Sequence, residues 1–110
     1  MTLRWRFLMV SRYLQVTISS SPSGHIASFF QASREEQVAL LELVIKMRQI
    51  LKIERNPDGF NIGINDGEAA GQTVMHLHIH LIPRYHGDAA DPRGGVRWIF
   101  PEKAAYWDVS

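Results

Sequence analysis

Residues 76–82 read His-Leu-His-Ile-His-Leu-Ile, and this alternation suits one backbone conformation. In an extended strand, side chains at i, i+2 and i+4 share a face. Leu77, Ile79 and Leu81 then line one side, while His76, His78 and His80 stand in a row on the other. A rise of roughly 3.3 Å per residue spaces those imidazoles about 7 Å apart. A helix would scatter the three rings around a cylinder and break the apolar side. A merely solvated sheet face accounts for one histidine well and for three in register badly. The pattern predicts a strand over Thr73 to Ile82.

A strand with one apolar face needs something to pack against, and the preceding sequence provides it. Ser33-Arg-Glu-Glu36 is a capping box, in which hydroxyl and carboxylate each satisfy an orphan amide. Leu40, Val44, Met47 and Leu51 then fall on one stripe, flanked by Val38, Leu41 and Ile45. Lys46, Arg48 and Lys52 come late, where they complement the helix dipole. The spacing predicts a helix over about 34–54, stopped by Asn56-Pro57-Asp58-Gly59. Its apolar stripe is wide enough for two buried sides, one of them against a partner subunit.

Elsewhere the patterns are shorter. Phe60, Ile62 and Ile64 alternate with Asn61, Gly63 and Asn65, the mark of a half-buried strand, and Asp66 to Gly71 reads as a loop. Trp5 to Val10 reads as a strand of poor alternation, and residues 17–23 as a loop or linker. Beyond Pro83 the chain is irregular to Gly95; Val96 to Phe100 reads as a short strand, and Pro101 to Trp107 as a turn or short helix. The expected fold is α+β: an antiparallel sheet carrying the histidine strand, one long helix packed on it, and N-terminal strands missing or altered.

Composition narrows the chemistry. The chain has 110 residues, room for one small core, with 12 Lys+Arg against 11 Asp+Glu. That balance gives no electrostatic case for a nucleic-acid polymer or an anionic membrane as partner. There is no apolar run of membrane-spanning length and no signal-peptide core, so the expected location is the cytoplasm. Cysteine is absent, which removes disulfides, thiolate metal sites and a cysteine nucleophile. Imidazole is left as the reactive group.

Two uses of the histidine row compete. One is a metal site, with His25, His86, Asp66, Glu68 or Asp88 as further ligands. The other is covalent catalysis: an imidazole that is partly neutral at physiological pH attacks phosphorus, and its neighbours orient it and contact phosphoryl oxygens. The flanks favour the second. Gly71-Gln72-Thr73 offers a glycine-lined turn, backbone amides and two side-chain donors, and Asn65 adds another, which together suit an anion. Ordinary turn chemistry accounts for Gly71 and Asn65 taken singly.

Ala70-Gly-Gln-Thr-Val-Met-His-Leu-His-Ile-His-Leu-Ile-Pro-Arg84 resembles the signature of the histidine triad family, His-φ-His-φ-His-φ-φ with φ apolar. The Asp66-Gly67 and Ala70-Gly-Gln-Thr73 lead-in is similar to the fragile-histidine-triad-like branch, and Asp91 to Lys103 resembles a tail of bacterial members. The resemblance runs from His25 to about Trp107. It implies a nucleotide hydrolase or nucleotidyl transferase acting at the α-phosphate of a nucleoside phosphoramidate or dinucleoside polyphosphate. His78 would be the nucleophile, His76 and His80 its flanking partners, and His25 the upstream member of the group. Gln72 and Thr73 match positions that hold phosphate or leaving group; Gly71 and Asn65 match less closely. The scheme calls for no metal and no other cofactor, and the family resemblance implies a homodimer. His86 falls outside the motif and reads as a loop histidine. The competing readings are a catalytically impaired nucleotide-binding or interaction module, and a His-cluster metal protein.

Residues 1–24 depart from the family, and the expected division is an atypical segment 1–24 and a histidine-triad-like domain 25–110. Family members enter the core through Pro-x-x-Pro-Gly-His and then Leu-Val-Ile-Pro-Lys-x, whereas His25 here follows Ile-Ser-Ser-Ser-Pro-Ser-Gly24. Ile18 to Gly24 can be encoded ATC TCG TCA TCC CCA AGC GGC, and the same string from its third base gives Leu-Val-Ile-Pro-Lys-Arg. An out-of-frame, poorly ordered segment ahead of His25 is the expectation this raises, with a divergent N-terminus as its rival. The coding DNA decides between them.

Overall fold

The computed structural model describes the backbone of residues 4–10 and 13–19 and the whole of residues 26–73 and 75–108. The elements are β1 (Arg4–Val10), β2 (Tyr13–Ser19), α1 (Arg34–Arg55), β3 (Gly59–Gly63), β4 (His78–Arg84) and α2 (Pro101–Ala104), with 3-10 turns at Phe29–Gln31, Glu68–Ala70 and Gly95–Ile99. Four strands form one antiparallel sheet in the order β1-β2-β4-β3. The N-terminal strands are therefore present, and Thr17 to Ser19 extend β2 where a loop was expected. Backbone pairing with β4 over Val16 to Ser19 overrides the weak local preference of that serine-rich stretch.

α1 forms where its capping box and stripe place it. Ser33 Oγ accepts from Glu36 N at 3.1 Å, and Glu36 Oε1 accepts from Ser33 N at 3.3 Å. The far end closes at Asn56, whose left-handed φ of 45° ends the helix. Leu40, Val44, Met47 and Leu51 of α1 meet Leu77, Ile79 and Leu81 to form the core. One α-helical stripe covers one face of a strand, which is the packing both periodicities demanded.

β4 differs from the predicted strand at both ends. It starts at His78, because Leu77 N donates to Ile26 O at 2.8 Å and leaves the sheet ladder. It also continues through Pro83 to Arg84. β2 pairs only as far as Leu81, whereas β3 pairs from His80 to Arg84, so the missing N–H of Pro83 falls where β4 has no partner on its β2 side. Alternation of half-buried and buried positions nevertheless runs unbroken from His76 to Arg84.

Two further expectations fail on tertiary grounds. Val96 to Ile99 belong to the 3-10 turn Gly95–Ile99, capped by Phe100, and form no strand: Trp98 Nε1 donates to Arg93 O at 2.6 Å and Arg97 N to Gly94 O at 2.9 Å, folding the segment on itself. Ile62 and Ile64, expected on a half-buried face, are 53% and 37% exposed. α1 lies across β2 and β4 and reaches the edge strand β3 only at Phe60, which packs against the core, so Ile62 and, past the strand's end, Ile64 are left exposed. Among the described residues no helix is long and apolar enough to cross a membrane.

Candidate active site

The open face of the sheet carries the histidines because the opposite face carries the core. Ile79 and Leu81 are 1% and 0% exposed under α1, which fixes the parity of β4 and turns His78 and His80 outward. In register, His80 lies between Thr17 of β2 and Gly63 of β3, and His78 lies opposite Ser19. His76 precedes the ladder but keeps the same parity and the same partial burial. All three histidines are thus half-buried: His78 and His80 share the outward face of β4 as their spacing predicts, and His76 stands at the bend just ahead of it.

The surroundings of His78 and His80 favour the neutral ring. Burial lowers the pKa of His78 below its ordinary value, and the neighbouring His80 and His76 push it the same way. A hydrogen bond from the His78 ring to the His76 backbone carbonyl acts in the opposite direction and is the smaller effect. Burial also lowers the pKa of His80. A neutral imidazole that donates one ring N–H to a carbonyl keeps the lone pair of its other nitrogen free for attack.

The loop before the histidines is closed by its own hydrogen bonds. Gly67 and Gly71 take φ of 95° and 91°, conformations that exclude most side chains. Gly71 N donates to Glu68 O at 2.9 Å, and Gln72 N to Gly67 O at 3.1 Å. These two amides, expected to face an anion, are thus bound within the turn. Gln72 is the one buried polar side chain among the described residues, 9% exposed. Its Oε1 accepts from Gly67 N at 2.8 Å, and its Nε2 donates to Ala27 O at 2.9 Å and His76 O at 3.4 Å. Thr73 is exposed beside it, and Asn65 is exposed two residues past the end of β3.

His25 lies outside the described residues, but the segment that follows it is fastened to the site. Ile26 O accepts from Leu77 N, Ala27 O from Gln72 Nε2, and Phe29 O from Gln37 Nε2 at 2.8 Å. His86 is 93% exposed, with its Nε2 4.0 Å from Asp58, and takes no part in the histidine face. Of the possible metal ligands weighed from sequence, the described residues bring no three together.

One cluster at the far end of β4 had only a faint sequence signal. Arg84, on the parity of the histidines, donates from Nε and Nη2 to Asp88 at 2.8 and 2.7 Å and from Nη1 to Asn61 at 2.6 Å. The two bonds from Arg84 to Asp88, with one from Tyr85 N, hold the Asp88 carboxyl down at about 2. The cluster ties the far end of β4 to β3 and borders an open cavity of about 450 Å³ lined by Asp58, Asn61, Arg84 and Asp88. Six residues at roughly 3.3 Å each place Arg84 about 20 Å along the strand from His78. The i, i+4 spacing of Arg84 and Asp88 was the available clue.

Comparison with known proteins agrees with this geometry. The HIT domain family model matches residues 18–87. An uncharacterized HIT-like protein of Methanocaldococcus jannaschii is 40% identical over 67 residues, covering 61% of this chain and 51% of that protein. AP-4-A phosphorylase of Mycobacterium tuberculosis is 40% identical over 55 residues, 49% of this chain and 28% of that enzyme. Among solved structures, Plasmodium falciparum diadenosine triphosphate hydrolase in complex with cyclomarin A superposes with a TM-score of 0.63 at 26% identity, over 77% of this chain and 64% of that one. The chain spans about half the length of the archaeal relative.

Proposed function

Because this chain belongs to the histidine triad (HIT) family, we propose that it is a nucleotide hydrolase or nucleotidyl transferase acting at the α-phosphate of a nucleoside phosphoramidate or dinucleoside polyphosphate. The observation that carries the reading is the row of half-buried imidazoles at His76, His78 and His80, held outward by a fully buried Leu77, Ile79 and Leu81. The family relatives include an AP-4-A phosphorylase and a diadenosine triphosphate hydrolase, which supports a substrate of this class.

In this scheme the free ring nitrogen of His78 forms a bond to the α-phosphorus while the bond to the leaving group breaks and the leaving group takes up a proton. Water then attacks the same phosphorus, the histidine–phosphorus bond breaks, and a nucleoside monophosphate leaves. His76 and His80 flank the phosphoryl oxygens, and His25 completes the group from the segment held by Leu77 and Gln72. Thr73 and Asn65 border the anion, and Gly71 closes the turn behind them. No cofactor enters any step.

The reading is tested by assaying the full chain against adenosine and guanosine phosphoramidates and dinucleoside polyphosphates across pH. Attack requires neutral His78, and burial moves its protonation below the ordinary value of 6.5. Activity is therefore expected to be level through pH 7 and to fall only as pH drops below 6.5. No turnover of any member of the panel, or an acid limb centred above 6.5, would overturn the reading.

A homodimer accompanies this proposal, supported by one uncovered surface. Val38, Leu41 and Ile45 of α1 are 48%, 51% and 57% exposed, on the stripe that leads to Arg48. Arg48 sits 5.5 Å over the Phe60 ring, so this stripe runs beside β3, whose Ile62 is also exposed at an unpaired sheet edge. An apolar stripe beside an open strand edge suits a second copy. Ile62→Lys places a charge on that edge and is expected to halve the mass measured by light scattering; an unchanged dimer mass rules out this face as the interface.

A further inference from the structure

We propose that Gln72 is a positioning residue of the histidine site: its amide fastens Ala27 and the His76 carbonyl to the Gly67 turn, holding the imidazole row from behind without touching substrate. The family resemblance puts the side chain at the phosphate, but the structure gives it other work. Both ends of the amide are engaged, Oε1 by Gly67 N and Nε2 by Ala27 O and His76 O. The side chain is 9% exposed, which suits a group bonded to the protein interior better than one waiting for a ligand.

The three partners make the choice of residue informative. Ala27 is two residues past His25, so one bond fixes the described segment that follows the upstream histidine in sequence. The His76 carbonyl is also the acceptor for the His78 ring, so a second bond bears on the orientation of the proposed nucleophile. Gly67 anchors both to the turn that Gly71 closes. An acceptor and a two-proton donor at the end of a side chain of this length are what an amide supplies. Gln72 thus links three stretches of chain: the Gly67 turn, the segment after His25 and the start of the histidine row.

This proposal rests on the nucleotidyl-transfer reading, and its test separates the two. The ring nitrogens of His78 are followed by heteronuclear NMR through a pH titration of the full chain without nucleotide, in the wild type and in Gln72→Met. Methionine keeps the length and removes donor and acceptor together. The titration midpoint or tautomer ratio of His78 is expected to move. kcat on adenosine 5′-phosphoramidate should fall roughly 10- to 100-fold with KM held within about twofold.

An unmoved His78 titration, with the loss confined to KM, makes Gln72 a substrate contact and overturns the proposal. Should Gln72→Met fail to fold, Gln72→Glu keeps the acceptor for Gly67 N and loses the ionised side chain's donor; the same displacement of His78 is expected. Wild-type behaviour of Gln72→Glu overturns the proposal as well. If the wild-type chain turns over no nucleotide, the functional reading fails, and the His78 titration alone still decides the role of Gln72.

Discussion

His78→Ala is expected to abolish turnover of a nucleoside phosphoramidate, by roughly a thousandfold or more, because deleting a covalent nucleophile removes the pathway itself. The flanking His76 and His80 remain in that variant, on the same face and similarly half-buried. They therefore serve as an internal control on mere loss of imidazole. Alanine at this position disturbs no core contact, since the side chain lies on the open face opposite Ile79 and Leu81. His86→Ala provides the outside control: that ring is 93% exposed and should leave the rate unchanged. Full activity in His78→Ala would remove the assignment. Loss in both variants would point to a fault of preparation.

Leu81→Ala should have the largest effect on stability. Leu81 is 0% exposed and packs in the same cluster as Leu51, also 0% exposed, at the centre of the contact between β4 and α1. Truncation removes buried apolar surface and leaves a cavity that a sheet paired on both sides cannot close, because β4 is held by β2 and β3 around this residue. The cost expected is about 2–5 kcal/mol, a large share of the ~5–15 kcal/mol that stabilises a typical domain. Chemical denaturation of both proteins checks it, and a difference below about 1 kcal/mol would mean the site collapses without a cavity. Because Leu81 adjoins His80, a loss of activity at temperatures where the variant remains folded would also show that core packing sets the histidine row.

Most of the site was legible because its signal is local. The parity of His76, His78 and His80 follows from a period of two, and the stripe of Leu40, Val44, Met47 and Leu51 from a period near 3.6. Both survive whatever the rest of the chain does. Sequence marks Gln72 as a donor to an anion, whereas its partners include Ala27, 45 residues away. The Arg84–Asp88–Asn61 cluster was missed for the same reason, since Asn61 reaches Arg84 only through the register of β3 against β4.

The histidine-bearing segment was determined by sequence alone in one respect: which side chains face out and which face in. Alternating residues leave an extended strand no other way to bury Leu77, Ile79 and Leu81. Where the strand begins and ends was decided by tertiary structure. Leu77 hands its amide to Ile26 O, and β3 carries β4 on past Pro83 after β2 has stopped. Only the fold decided that Ile62 and Ile64 stay exposed, because their burial depends on which strands α1 crosses. Facing is a property of neighbouring residues, whereas pairing and coverage depend on segments far apart in the chain, and no local period encodes where those segments meet.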